Sequence, residues 1–149
     1  MATTTASITL SSSDLLSDNL SLSATMNLYQ NGTTATGLDE MNYHRLVIPT
    51  GTQFDLIAES AALSEDASYV YIINKNTDVT DYVLIDINSE EIGRLYAGDW
   101  LFMPWDCDLT HATADSSIEI EVGTDSRSSE VIIEYALFHN GETLPTSSD

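Results

Sequence analysis

Positive charge is what this sequence has least of. Of its 149 residues, 24 are Asp or Glu and only four are Lys or Arg, which gives a formal net charge of −20. Phosphate backbones are bound by Lys and Arg side chains that displace counterions, so this balance argues against direct binding of DNA or RNA. It argues equally against docking on an anionic membrane. It suits high salt, where repulsion is screened over a Debye length of roughly 3–5 Å.

Cysteine and long apolar runs are also scarce. Cys107 is the only cysteine in the sequence, which excludes an intrachain disulfide. No apolar run approaches the roughly 18 residues that a membrane span requires. The N-terminal residues lack the basic and apolar regions of a signal peptide, so we expect synthesis and folding in a cytoplasm. The length fits one domain whose stability comes from its core and its neighbours.

The order of apolar and polar residues predicts an all-β protein. Short runs with period-two alternation, such as "LSLSATMNLY" and "SIEIEV", are separated by turn-forming clusters, and no amphipathic helix is evident. About eight or nine such runs predict a two-sheet sandwich of the jelly-roll or Greek-key type. We expect this domain to span residues 19–140. Residues 1–18 are expected to form a flexible or partner-bound arm, and residues 141–149 a tail.

No pattern in the sequence indicates catalysis. There is no nucleophile elbow and no phosphate-binding loop, and the outward glutamates alternate with core residues as on a solvent face. Cys107 lies four residues before His111, but an activated thiolate would need that imidazole folded back onto it. We therefore predict that the protein is not an enzyme, with no catalytic residue and no cofactor.

Metal binding is likewise not predicted. Asp106, Asp108 and His111 have the chemistry of cation ligands, but the segment lacks the glycine and terminal glutamate of a calcium loop. A solvated acidic loop is the simpler interpretation. A cupin-type site would need histidines and a glutamate gathered inside one barrel, and His44, His111 and His139 show no such motif.

The segment "IGRLYAGDWLFMPWD" concentrates large aromatic residues in a strongly acidic chain. Its "AGD" turn predicts a hairpin, in which Trp100, Phe102 and Pro104 would face one way and Leu101, Met103 and Trp105 the other. One core covers only one face, so the second apolar face must meet a loop, an arm or another protein. For at least one of the two tryptophans we favour a subunit interface at a strand edge. The predicted interface residues are Tyr96, Trp100, Phe102 and Trp105.

Three stretches carry a resemblance to a known group of proteins. The stretches "EIGRLYAGDWLFMPWD" and "VIIEYALFHNGE", with the opening "LLSDNLSLSAT", resemble small virion proteins of tailed phages of marine bacteria, including cyanophages. The resemblance covers about half the chain, and its most specific part is the Arg-Leu-Tyr-x-Gly-Asp-Trp motif. It implies a non-enzymatic structural component of a phage particle, such as a capsid decoration or cement protein.

The net charge of the chain indicates where on a phage particle such a protein would lie. A protein at −20 would repel packaged DNA, so we expect it on the outer capsid surface after synthesis in the host cytoplasm. The expected partners are the major capsid protein or other virion proteins and further copies of this chain, with no nucleic acid and no membrane. The alternative is a minor tail or fibre-associated protein whose aromatic cluster binds host glycans.

Overall fold

The computed structural model describes residues 3–14, 19–29, 34, 37–38, 40–57, 67–105 and 120–139. Within these ranges the chain forms ten β-strands and no helix. In chain order they are β1 (Thr4–Ser12), β2 (Leu20–Leu28), β3 (Glu40–Ile48), β4 (Gln53–Ile57), β5 (Ala67–Asn74), β6 (Tyr82–Ile87), β7 (Glu90–Tyr96), β8 (Trp100–Pro104), β9 (Ile120–Gly123) and β10 (Val131–His139). No helix in the described ranges has the length and hydropathy of a membrane span.

The chain divides into two compact units, residues 1–39 and residues 40–149. The larger unit contains two four-stranded antiparallel sheets, a first sheet in the order β3-β10-β5-β8 and a second in the order β4-β9-β6-β7. From β3 to β10 the chain changes sheet at every step except the β6–β7 hairpin. This strand order is that of a jelly roll. The predicted all-β sandwich is confirmed, and the jelly-roll form of it is the one observed.

The core of the larger unit lies between its two sheets. Alternate residues of each strand enter it because successive side chains of a strand point to opposite faces. Isoleucine and valine supply most of the fully buried positions, as expected for strands that must pack on a pleated surface. The buried cluster is Ile48, Val70, Ile72, Val83, Ile85, Trp105, Ile120, Val122, Val131, Ile133 and Leu137.

The smaller unit contains a β-hairpin. Strands β1 and β2 pair antiparallel along their whole length without a bulge, from Thr4 opposite Leu28 to Ser12 opposite Leu20. We expected residues 1–18 to be an arm and residues from 19 onward to enter the sandwich. The structure places the division after Asp39 instead, because β2 pairs with β1 and not with a sandwich strand. The predicted tail, residues 141–149, lies outside the described residues.

Candidate functional site

The turn at Ala97-Gly98-Asp99 connects the two sheets and does not close a hairpin. Gly98 has a φ of 87°, and Asp99 donates its backbone N–H to the Tyr96 carbonyl at 2.8 Å, so the predicted chain reversal is confirmed. However, β7 is the edge of the second sheet and β8 is the edge of the first. The predicted β7–β8 hairpin is therefore wrong.

Asn74 is the reason that the chain crosses between the sheets at this turn. Its backbone N–H donates to the Asp99 carbonyl and its own carbonyl accepts from Gly98, both at 3.0 Å. Its side-chain Nδ2 donates to the Leu95 carbonyl of β7 at 2.9 Å. These bonds attach the turn to the end of β5, which makes β5, and not β7, the partner of β8.

The four predicted interface residues lie in three different environments. Trp100 is 49% exposed and Phe102 is half-buried, both on the outer face of β8. Tyr96 is exposed on the outer face of β7, in the other sheet. Trp105 is 5% exposed and belongs to the core. The edge position is confirmed for β7 and β8, which are the edge strands of two different sheets.

The alternation predicted for β8 is confirmed. Leu101 and Met103 pack against the core together with Trp105, while Trp100 and Pro104 are exposed on the opposite side. An edge strand with apolar residues on both faces leaves one of those faces uncovered by the sandwich core.

The outer face of the first sheet continues the apolar surface of β8 across all four strands. The register places Trp100 beside Ile73 and Phe102 beside Tyr71. Tyr71 lies beside Ala136 of β10, and Ala136 lies beside Tyr43 of β3. We call this surface the aromatic face. Its aromatic residues are Tyr43, Tyr69, Tyr71, Trp100, Phe102 and Phe138.

Ring contacts organise the part of the aromatic face near β8. Tyr69 and Phe102 are stacked, with centroids 5.6 Å apart and planes 5° from parallel. Phe138 meets Phe102 edge-on at 6.5 Å. Such pairs favour fixed ring positions. Met41, Tyr43 and Val47 extend the exposed apolar surface along β3.

The charged groups of the aromatic face lie toward one end of it. The Lys75 ammonium is 3.7 Å from the Glu134 carboxylate, and Glu134 lies opposite Arg45 in the register. A hydrogen bond from the Tyr43 hydroxyl lowers the pKa of the Glu134 carboxyl, and Lys75 and Arg45 lower it further. The same hydrogen bond raises the pKa of Tyr43. These three charged residues sum to +1, in a chain at −20.

The outer face of the second sheet has the opposite character. A row of carboxylates crosses its four strands, since Asp55 lies opposite Glu121, Glu121 opposite Asp86 and Asp86 opposite Glu91. We call these four residues the acidic row. Arg94 forms a salt bridge with Glu91 at 2.9 Å at the β7 end. The sandwich therefore presents an aromatic surface on one side and an acidic one on the other.

Asp86 and Glu121 are the half-buried members of the acidic row, and each has one buried carboxylate oxygen without a partner among the described residues. In Asp86 that oxygen is Oδ1, while Oδ2 accepts a hydrogen bond from Gln53 at 3.1 Å. Burial raises the pKa of the Asp86 carboxyl, and the negative charge of Glu91 raises it further. The folded state thus holds the Asp86 proton more tightly than the unfolded chain does.

Replacing Asp86 with asparagine is expected to raise the thermal midpoint at neutral pH. Stability should fall as the pH rises through the raised pKa of Asp86, because ionisation is less favourable in the folded state. Asparagine cannot ionise and can still accept from Gln53, so the gain should shrink as the pH is lowered through the carboxyl range. Thermal denaturation from pH 3 to pH 8, by circular dichroism, measures this. Asp55→Asn at the exposed end of the row is the control, and an equal gain there would contradict the explanation.

The other candidate residues of the sequence analysis, which were weighed as metal ligands or as a reactive thiol, do not form a site among the described residues. Asp106, Cys107, Asp108 and His111 lie outside the described residues. His44 is exposed and packs against Tyr135, with ring centroids 5.4 Å apart. His44 lies opposite Tyr135 of β10, and His139 lies four residues further along that strand, opposite Glu40. The backbones of the two histidines are therefore roughly 13 Å apart along the strand direction. No cluster of three or more potential metal ligands occurs in the described part of the chain.

Sequence reasoning missed most of the aromatic face. Tyr69 and Tyr71 alternate with Val70 and Ile72 in β5, which signals an aromatic outer side of that strand. The sequence does not say that β5 lies between β8 and β10, so it could not place Tyr71 beside Phe102 or connect both to Tyr43.

Comparisons with known proteins give distant structural likenesses. A cupin protein from Bacteroides fragilis has a TM-score of 0.42 and 15% identity, covering 74% of this chain and 75% of that one. A protein from Photorhabdus luminescens also has a TM-score of 0.42, with 13% identity, covering 78% of this chain and 76% of that one. No family model matches the chain, and no curated protein is similar to it.

Proposed function

We propose that the protein is a non-enzymatic structural component of a phage particle, a decoration or cement protein on the outer capsid surface. It attaches there through the aromatic face. The observation that carries the proposal is the contrast between the two outer faces of the sandwich. In a chain at −20, a contiguous aromatic surface with few charges is the part of the sandwich that a protein partner can cover without burying unpaired carboxylates.

The energetics of the aromatic face favour binding to a protein. Interfaces are enriched in aromatic residues and depleted of acidic ones at their centre. Trp100, Tyr43 and Met41 are each about half exposed before any partner binds, so their burial removes apolar surface from water. The rings near β8 are already packed on one another, so little side-chain entropy is lost there on binding. Arg45, Lys75 and Glu134 supply a polar rim.

The acidic row favours a position in which the second sheet faces water. Its carboxylates would repel both packaged DNA and an anionic membrane. Binding through the aromatic face would direct the opposite sheet, with this row, away from the shell. The resemblance of residues 81–106 and 130–142 to small virion proteins of marine tailed phages supplies the partner, which is the major capsid protein or another virion protein.

Binding to particles that lack this protein is expected to persist, or to tighten, as salt is raised from about 0.1 M to about 1 M, because the Debye length falls from roughly 10 Å to 3 Å. An apolar contact does not depend on attraction between charges, and screening reduces repulsion between acidic surfaces. Co-sedimentation of the purified protein with such particles measures the binding. A steep loss of binding with salt would contradict attachment through the aromatic face.

A glycan-binding role in a minor tail or fibre protein is the second candidate. Trp100, which is half exposed, and the half-buried Phe102 lie on the same face of β8, and exposed aromatic side chains of this kind can pack against a sugar ring. Quantitative mass spectrometry of purified particles separates the two functions. A decoration protein is present in numbers that follow the capsid lattice, whereas a tail or fibre component is present in a few copies. A count of a few copies would contradict the decoration proposal.

A further inference from the structure

The β1–β2 hairpin has a composition unlike that of the rest of the chain. Its two strands, Thr4–Ser12 and Leu20–Leu28, contain no charged residue and no proline. They pair in register over nine residues each, without a bulge. In a protein with 24 acidic residues, a charge-free element of this length is a distinct surface.

The two faces of the hairpin differ in chemistry. One face carries hydroxyls and an amide, with Ser7 and Thr25 hydrogen-bonded at 3.0 Å and Thr5 donating to Asn27 at 3.2 Å. The other face is apolar along its middle and ends on the pairs Thr4–Leu28 and Ser12–Leu20. Its central members are Ala6, Ile8, Leu10, Leu22, Ala24 and Met26, and the four larger of these are 40–55% exposed, whereas Leu28 at one end is buried.

The hairpin also lacks the features that normally protect sheet edges. Neither strand pairs with a third strand among the described residues. Natural proteins protect such edges with charges, prolines or bulges, and β1 and β2 have none of them. An isolated two-stranded hairpin is only marginally stable in water, whereas three or more strands with an apolar face are stable. Pairing of β1 or β2 with a further strand would therefore stabilise the hairpin.

We infer that the partner is a second copy of this chain, which adds its own β1 antiparallel to β1 and forms a four-stranded sheet in the order β2-β1-β1-β2. A second copy presents the same charge-free strand, so pairing through β1 buries no carboxylate of either chain. The inference goes beyond the proposed function and does not depend on attachment through the aromatic face.

The sequence of β1 fits this pairing better than that of β2. β1 contains Thr4, Thr5, Ile8 and Thr9, which are β-branched, whereas β2 contains only Thr25. Such residues favour strand pairing. With Ile8 opposite the Ile8 of the second copy, Ala6 lies opposite Leu10, so the apolar faces of the two hairpins become continuous. A two-fold axis through the Ile8 pair makes the contact self-complementary.

This contact is smaller than a permanent dimer interface. Stable complexes bury about 1,600 Å² in total, and one strand edge with its side chains provides less. The expected species in dilute solution is therefore a concentration-dependent dimer, which would be favoured where many copies are held close together.

Disulfide trapping tests the geometry directly. In a Cys107→Ser background, Ile8→Cys places two thiols on the two-fold axis, where Cα atoms of paired residues are about 4.5–5.5 Å apart. That distance suits a disulfide. Ala24→Cys is the matched control, since Ala24 lies opposite Ile8 on the same apolar face. Its distance from its counterpart would be three strand spacings, or roughly 14 Å.

The experiment uses the full chain under mild oxidation at about 0.5 M salt, where the Debye length is roughly 4 Å. We expect Ile8→Cys to give at least about a tenfold larger cross-linked fraction than Ala24→Cys on a non-reducing gel. Far-UV circular dichroism confirms that both variants keep the wild-type fold, and sedimentation of the unaltered chain provides a measurement without any substitution. Equal cross-linking of both variants, preferential cross-linking of Ala24→Cys, or a wild-type chain that stays monomeric at high concentration would each overturn the inference.

Discussion

Replacing Trp100 with alanine is expected to weaken incorporation into particles by about 2 kcal/mol or more, as at an aromatic hot spot. The same change should alter the free energy of unfolding by less than about 1 kcal/mol, as is usual for an exposed residue outside the core. Trp100 is 49% exposed at the edge of the aromatic face, so its removal leaves no cavity in the sandwich. The loss of incorporation is measured by letting the variant and the wild-type protein compete for particles that contain neither.

Replacing Trp105 with alanine should have the opposite profile. Trp105 is 5% exposed and belongs to the buried cluster between the sheets. Truncation of a buried tryptophan costs about 3–5 kcal/mol, which is a large part of the total stability of a domain. Chemical denaturation of the isolated protein measures this loss, which should not depend on particles.

Tyr96→Ala provides the control for the pair. Tyr96 is 43% exposed, close to Trp100 in exposure, but it lies on the outer face of the second sheet. Its removal should therefore leave both incorporation and stability nearly unchanged. Attachment through the aromatic face would be contradicted if Tyr96→Ala reduced incorporation as much as Trp100→Ala, or if Trp100→Ala had no effect.

The different positions of Trp100 and Trp105 show what the sequence predicted and what it did not. Period-two alternation was sufficient to assign Leu101 and Met103 to the core side and Trp100 to the other side, because it depends only on local strand geometry. Trp105 lies on the same side as Leu101 and Met103 and is buried in the core, although it was predicted to be an interface residue. The pattern could not decide between a hairpin and a crossover, because that depends on which strand each edge meets.

The N-terminal hairpin illustrates the same limit. The alternation in β2 was evident in the sequence, but its partner was not. A Ser/Thr-rich segment with few large apolar residues was predicted to be an arm, since its composition differs from that of a core strand. In the structure the hydroxyls of Ser7 and Thr25 form a ladder on one face of the hairpin, which a composition-based reading does not anticipate.

The two outer faces of the sandwich arise from register in the same way. In the sequence the four residues of the acidic row lie in four separate strands. Only the strand order β4-β9-β6-β7 places all four side by side. The two outer faces of the sandwich therefore differ, since one is acidic and the other is aromatic. Composition alone could not predict this difference.

Replacing Asn74 with alanine is expected to be strongly destabilising, because this one buried amide joins three segments. Asn74 is 0% exposed. Its Nδ2 donates to the carbonyls of Leu95 at 2.9 Å and Asp81 at 3.3 Å, and its Oδ1 accepts from the Asn76 backbone at 2.9 Å. Alanine would leave these three backbone groups without that partner.

The expected loss is about 3 kcal/mol or more, since each buried polar group left unsatisfied costs about 1–3 kcal/mol. In the thermal midpoint this corresponds to a decrease on the order of 10 °C. Asn42→Ala is the matched control, because Asn42 is half-buried in the same sheet and makes no side-chain hydrogen bond with the described residues. Its replacement should cost less than about 1 kcal/mol. Since Asn74 also fixes the turn that precedes Trp100, a destabilisation no larger than that of Asn42→Ala would contradict its role in holding β8 against β5.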